Sequence, residues 1–182
     1  MSLPQIEIRY TIEDYRRWEG DWELIEGIPY AMAPSPLGRH QLICLILGSF
    51  LEEQLRECAE ECFVYPELDW IIDQETVVRP DLVLVCRRIS EYLTEPPLVA
   101  VEVVSSNTAR KDEILKFALY EREGVKYYVL VYPELKKARI FALKEKKFEK
   151  VFDGSEGRFT FDDLPCQVSL DFDRLWQRIL GK

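Results

Sequence analysis

The sequence predicts a mixed α/β domain in which a central mixed (α+β-type) β-sheet is flanked by helices. Short apolar runs of strand length are interspersed with longer helical patterns, and this order places helices on the faces of a sheet. The 182 residues are 47% hydrophobic and 31% charged, which is ample apolar content for one core. We therefore expect one domain over residues 1–182.

Four helices are indicated by local patterns. Thr11 and Asp14 have the spacing of a capping box, so a short N-terminal helix is expected to start there. Apolar residues recur at helical spacing from about Arg39 to Ala59, which predicts the longest helix. Two further helices are predicted over 109–122 and 172–180.

The strands are predicted from apolar runs bounded by turn residues. The Glu26-Gly27 dipeptide indicates a hairpin between strands 22–25 and 28–32. Further strands are predicted at 63–72, 77–86, 98–104, 127–132, 139–143 and 148–152.

The net charge of −9 argues against a passive nucleic-acid coat, because such proteins bind by neutralising phosphates. The charge is uneven, since residues 106–150 hold 12 basic and 7 acidic residues, a balance of +5. This basic segment has two interpretations, a solvated helix and hairpin or a rim that faces phosphate, and the charge pattern leaves both open.

The chain start is acidic and lacks an apolar run, and no stretch is long enough to span a membrane, so a soluble cytoplasmic protein is expected. The five cysteines are expected to be buried free thiols, and a structural zinc site is not expected, since only Cys58 and Cys62 are close in sequence. His40 is the single histidine, which excludes mechanisms that need two.

Two acidic residues interrupt otherwise apolar strands. Asp81 precedes Leu-Val-Leu-Val, and Glu102 lies within Val-Ala-Val-Glu-Val-Val. A buried carboxylate is strongly destabilising unless it is paired or binds a metal ion. If the two strands pair, both side chains can converge on one point.

Converging carboxylates indicate a hard cation with oxygen ligands, and Mg²⁺ or Mn²⁺ is the natural candidate. The alternative is that each acid forms an ion pair with a nearby base, for which Arg79, Arg110 and Lys116 are candidates. Asp112, Lys116 and Tyr120 lie four residues apart on the next helix. They form either a surface ion pair worth about 0.3–0.5 kcal/mol or part of a site at the end of the Glu102 strand.

These motifs, taken in order, resemble the Uma2 family, long called DUF820, among the PD-(D/E)XK restriction-endonuclease-like proteins. The resemblance rests on Pro80-Asp81, Val101–Ser105, Asp112, Lys116, Tyr120, Gly124–Pro133, Trp22–Gly27 and Met32–His40. It extends from about Thr11 to Leu180.

The resemblance implies a restriction-endonuclease-like core and a metal site with Asp81 and Glu102 as ligands. The Val103 carbonyl is a candidate third ligand. The superfamily lysine would fall at position 104, which is Val104, so the resemblance implies that Lys116 on the following helix replaces it.

Four residues are expected to support this site. Glu26 either approaches the metal ion or is an exposed turn residue, and both alternatives stay open. His40, near the start of the long helix, is expected to form a capping or a supporting hydrogen bond rather than to act in catalysis. Asp112 and Tyr120 share the face of Lys116.

The function expected from this sequence is Mg²⁺-dependent endonucleolytic hydrolysis of DNA, with Asp81, Glu102 and Lys116 as catalytic residues. The alternatives are a nuclease-like scaffold that binds nucleic acid or a protein partner without cutting, and hydrolysis of another phosphate ester. A homodimer is also expected, with Tyr127–Tyr132 and Phe148–Phe152 as candidate surface.

Overall fold

A computed structural model describes residues 8–32 and 38–181, so positions 33–37 of the predicted family segment lie outside the described residues. The largest element is a six-stranded mixed sheet with the order β10-β9-β8-β7-β6-β3. Its strands are β3 (Phe63–Pro66), β6 (Leu82–Val85), β7 (Val99–Val103), β8 (Tyr127–Tyr132), β9 (Lys137–Lys144) and β10 (Lys147–Gly154). Strands β7 and β8 are parallel and the other neighbouring pairs are antiparallel, which confirms the expected mixed sheet.

A second, four-stranded sheet has the order β2-β1-β5-β4. It contains β1 (Trp22–Ile25), β2 (Ile28–Ala31), β4 (Trp70–Asp73) and β5 (Thr76–Val78). The predicted hairpin is present between β1 and β2, and Glu26 and Gly27 both have positive φ, as a two-residue hairpin turn requires.

Helices cover both faces of the six-stranded sheet. Helix α2 (Gly38–Leu55) and helix α4 (Phe172–Leu180) pack on one face, where apolar residues of β6, β7 and β8 form the larger core. The opposite face holds a π-helical segment (Lys111–Lys116) that continues as α3 (Phe117–Glu123). Gly124 ends α3 in the left-handed conformation, with φ of 87°.

The short helix α1 (Ile12–Tyr15) begins as the sequence indicates. The Asp14 carboxylate accepts hydrogen bonds from the backbone N–H and the hydroxyl of Thr11. Among the described residues, no helix combines the length and apolar character needed to cross a bilayer.

Two of the predicted strands are each divided into two. The predicted strand 63–72 forms β3 and β4 in different sheets. The predicted strand 77–86 is interrupted at Arg79–Asp81, because Pro80 has no backbone N–H to extend a ladder. This interruption lets the chain pass from the small sheet to the large one.

The strands β11 (Arg158–Phe161) and β12 (Val168–Asp171) form a two-stranded sheet that the sequence pattern did not indicate. The expectation of free thiols was also wrong for four of the five cysteines. Disulfides join Cys58 to Cys166 and Cys62 to Cys86, and only Cys44 is free. These pairs were missed because their partners are 108 and 24 residues apart in sequence.

Candidate active site

The two predicted acids come together at one end of the β6–β7 pair. The antiparallel register pairs Leu82 with Val101, and extending it by one residue sets Asp81 opposite Glu102. Asp81 Oδ2 accepts a hydrogen bond of 2.6 Å from the Val103 backbone N–H. Asp81 is therefore held against the backbone that carries Glu102.

Lys116 connects Glu102 to a third acid that the sequence analysis did not select. The Lys116 Nζ lies 2.7 Å from Glu102 Oε1 and 2.6 Å from Glu23 Oε1. The exposed fractions of Glu23, Glu102 and Lys116 are 0%, 3% and 1%. The ammonium thus bridges two carboxylates in the interior, and Glu102 has Lys116 as an ion-pair partner.

Glu23 lies on β1, so the small sheet contributes directly to this cluster. Its carboxylate also accepts hydrogen bonds from the Arg79 backbone N–H, at 2.8 Å, and from the Lys111 ammonium. Glu23 could have been found in the sequence, because it is an acid flanked by Trp22 and Leu24, the same signal that identified Asp81 and Glu102. Lys111 could not have been found in this way, because a charged residue at the start of a helix is common and indicates no site.

The π-helical segment turns Asp112 and Lys116 into the protein. Asp112 is buried, and its backbone carbonyl accepts a 2.9 Å hydrogen bond from the Tyr128 hydroxyl. Tyr120 is fully buried, and its hydroxyl donates to Glu102 Oε1 at 3.0 Å. Asp112 and Lys116 therefore do not form the surface ion pair that was the alternative. π-Helical turns such as this one often occur at functional sites.

His40 and Glu26 have different surroundings. His40, on α2, lies with Nε2 3.1 Å from Asp81 Oδ2, and its Nδ1 is 3.7 Å from the Cys44 thiol. This is the supporting hydrogen bond expected for His40. Glu26 points to solvent and pairs with Arg122 at 2.6 Å. Of the two alternatives for Glu26, the exposed turn residue is therefore correct, and the approach to the metal ion is wrong. Glu23, three residues earlier on β1, faces inward and is fully buried.

The cluster holds more negative than positive charge. Four carboxylates (Glu23, Asp81, Glu102 and Asp112) surround two lysines (Lys111 and Lys116), a formal balance of 2 − 4 = −2 before His40 is counted. Burial raises the pKa of Glu102 well above its usual value, and the neighbouring carboxylates add to this rise against the attraction of Lys116.

In three neighbouring groups, the charges of nearby residues outweigh burial, and the pKa shifts favour the charged form. Burial alone would lower the pKa of Lys116, but Glu102 and Glu23 outweigh it and raise the pKa. Burial would raise the pKa of Glu23, but Lys116 and Lys111 outweigh it and lower the pKa. For His40, burial would lower the pKa, but the hydrogen bond to Asp81 and the charges of the nearby carboxylates together outweigh it and raise the pKa. A cation placed at this end of the strands would relieve the excess negative charge.

Replacing Lys116 with Met is expected to destabilise the protein by about 3–5 kcal/mol, because two buried carboxylates lose their shared partner. The loss should be larger near pH 8 than near pH 5. Without Lys116, the pKa of Glu102 in the folded state, already raised, rises further. The unfolded state releases this proton above a pKa of about 4.3, whereas the folded state keeps it. The free energy of unfolding therefore falls as pH increases.

Urea unfolding at both pH values measures this effect. Lys144→Met is the matched control, because Lys144 pairs with Glu149 at the surface, and its loss should be no more than about 1 kcal/mol. Equal losses for the two variants would contradict the bridging role of Lys116.

Comparisons with known proteins agree with this fold. A solved structure described as "a putative nuclease belonging to DUF820 from Anabaena variabilis ATCC 29413" superimposes with a TM-score of 0.77 at 15% sequence identity. The match covers 93% of this chain and 98% of that chain. No curated protein sequence is significantly similar. The profile of the Uma2 family, described as "Putative restriction endonuclease", matches residues 12–172, and the chain therefore belongs to the Uma2 family.

Proposed function

We propose that this protein is an endonuclease that hydrolyses DNA phosphodiester bonds with the help of Mg²⁺ or Mn²⁺. The observation that carries the proposal is the placement of Asp81 and Glu102 at the same end of two paired strands, inside a cluster with excess negative charge. Membership of the Uma2 family, whose description reads "Putative restriction endonuclease", supports the same reaction class.

The donor atoms fit a hard divalent cation. Both hydrogen bonds to Asp81 use Oδ2, and both to Glu102 use Oε1. Within the described part of the chain, Asp81 Oδ1 and Glu102 Oε2 accept no hydrogen bond, so each acid retains one oxygen for an ion. Carboxylate oxygens are the ligands that Mg²⁺ prefers, and the Val103 carbonyl is the proposed third protein ligand.

Hydrolysis requires a water molecule positioned for attack on phosphorus and stabilisation of the added negative charge. A divalent cation supplies this charge stabilisation and lowers the pKa of a bound water when it is present. The protein's own residues hold the acids in place. The His40 ring and the Val103 N–H fix Asp81, while the Tyr120 hydroxyl and the Lys116 ammonium fix Glu102.

Lys116 has a defined electrostatic role in this proposal. Its ammonium contacts Glu23 and Glu102 and is shielded from solvent, so it compensates the charge of the Glu102 carboxylate. The proposed role of Lys116 in orienting the attacking water stays a prediction, because it requires the ammonium to reach beyond these two carboxylates.

The basic segment supplies less exposed positive charge than its composition indicates. Lys116 and Lys111 are part of the site. On the β9–β10 hairpin, Lys137 and Lys150 both pair with Asp153, which favours the solvated interpretation there. DNA is therefore proposed as substrate on the family description and the metal-type site rather than on charge alone.

The cleavage test is incubation of the purified protein with plasmid DNA and Mn²⁺ or Mg²⁺, with gel quantification of nicked and linear products. We expect Asp81→Asn and Glu102→Gln to lower the cleavage rate at least about 100-fold. Even residues that only hydrogen-bond to a metal ligand commonly change activity about 10–100-fold when they are replaced. Glu23→Gln should also reduce the rate, since it frees Lys116 from one of its two partners.

Glu26→Gln is the matched control, an acid on the same hairpin that lies at the surface. It should cleave at the wild-type rate. Undiminished cleavage by Asp81→Asn and Glu102→Gln would mean that a contaminant is responsible and would overturn the assignment. A parallel assay with nucleotides and other phosphate esters separates a DNA nuclease from a general phosphate-ester hydrolase.

The second candidate function is a nuclease-like scaffold that binds nucleic acid or a protein partner without cutting. One observation favours it: Glu102 already has a cationic partner in Lys116, while position 104 is Val104. Titration calorimetry with Mn²⁺ distinguishes the two candidates. The nuclease proposal predicts binding that Asp81→Asn weakens at least about tenfold and Glu26→Gln preserves, whereas the scaffold predicts no binding that depends on Asp81.

A homodimer is also proposed, although one of the two surfaces considered for it is wrong. Tyr127–Tyr132 forms β8 in the middle of the large sheet, where all six of its residues are buried. The edge strand β10, which includes Phe148–Phe152, has exposed residues and an unpaired edge. Sedimentation at micromolar concentration should give a dimer mass, and a monomer mass would remove the proposal.

A further inference from the structure

Four cysteines from distant parts of the sequence meet at one end of the large sheet. Cys58 follows helix α2, Cys62 immediately precedes β3, Cys86 follows β6, and Cys166 lies between β11 and β12. The β3–β6 register pairs Phe63 with Val85, so its extension by one residue places Cys62 opposite Cys86.

The two disulfides of this group form one cluster of four sulfur atoms. The Sγ atoms of Cys62 and Cys166, which belong to different disulfides, are 3.3 Å apart. Those of Cys58, Cys62 and Cys166 all lie within 4.8 Å of one another. A tetrahedral zinc ion with Zn–S bonds of about 2.3 Å requires sulfur–sulfur separations of about 3.8 Å. Once both disulfides are reduced, small side-chain movements would bring the sulfurs of Cys58, Cys62 and Cys166 to this spacing. Cys86, the disulfide partner of Cys62, would supply the fourth thiolate.

We propose that, in the reduced protein, Cys58, Cys62, Cys86 and Cys166 bind one structural Zn²⁺ ion. Four thiolates are the closed donor set of structural zinc sites, and the Cys58–Cys62 spacing lies within the range those sites use. The spacing of the cysteines does not indicate a zinc site, because Cys86 and Cys166 lie far from this pair in sequence and only the fold brings all four together.

Two features of the surroundings favour thiolates. The Glu60 backbone N–H donates a 3.4 Å hydrogen bond to Cys58 Sγ, and a donor of this kind stabilises a charged sulfur. The Arg88 guanidinium lies 5.0 Å from the centre of the Phe63 ring. Phe63 follows Cys62 in the sequence, and Arg88 is two residues after Cys86. A positive charge two residues from Cys86 in sequence would favour the thiolate over the thiol.

The zinc ion would tie together three parts of the fold, namely the end of α2, the β3–β6 edge of the large sheet and the small β11–β12 sheet. The same sulfurs hold either two disulfides or one ion. Reduction of both disulfides by an external dithiol consumes four electrons and four protons and yields four thiols. Binding of Zn²⁺ then releases the four thiol protons.

The test uses the full chain purified with a phosphine reductant from zinc-supplemented cultures. Zinc content by mass spectrometry should be one ion per chain. Replacement by Co²⁺ should produce the thiolate charge-transfer and tetrahedral d–d absorption bands of a four-sulfur site. The cobalt spectrum uses the wild-type chain, so it tests the proposal even where a cysteine variant fails to fold.

Cys58→Ser and Cys166→Ser should lower the zinc affinity at least about tenfold, while Cys44→Ser, which changes the free cysteine outside the cluster, should retain one zinc ion. Wild-type protein that takes up neither Zn²⁺ nor Co²⁺ after full reduction would overturn the proposal. Zinc that persists unchanged in Cys58→Ser and Cys166→Ser would overturn it as well, because the ion would then lie elsewhere.

Discussion

The ion bridge from Lys116 to Glu23 and Glu102 is the interaction on which the site depends. It joins the small sheet, through β1, to the large sheet, through β7, by way of the helix that follows β7. Each of the three groups would be strongly destabilising if buried alone, because the interior solvates a charge poorly. The three groups are tolerated only together, so the positions of the two sheets and of this helix depend on one another.

The same charges leave the cluster with excess negative charge. Lys116 and Lys111 do not balance the four carboxylates, and repulsion from the other three contributes to the raised pKa of Glu102. In the absence of a cation, the raised pKa of Glu102 allows a proton to reduce the repulsion. A divalent ion would perform the same neutralisation while leaving the carboxylate charged. The electrostatic arrangement that limits stability is thus the one that favours a metal site.

Much of the fold follows from local patterns. The capping box at Thr11, the Glu26-Gly27 turn and the helix over Phe172–Leu180 are all present, because each depends on neighbouring residues. The errors occur where an apolar run contains a change of sheet. The segment 77–86 is apolar except for Arg79, Pro80 and Asp81, and Pro80 indicates that the ladder stops there. The β11–β12 hairpin was missed because its strands are short and half-polar.

The sequence by itself determined that Asp81 and Glu102 need a partner, because burying a carboxylate beside apolar strand residues is destabilising unless it is paired or binds an ion. It also determined that Lys116 and Tyr120 share a helix face. Tertiary structure decided which partners they have. Glu23 entered the site because it lies on the inward face of β1, whereas Glu26 lies in the exposed turn and pairs with Arg122. Four cysteines likewise met through strand register and loop packing, since contacts between residues far apart in sequence depend on the arrangement of whole elements rather than on local spacing.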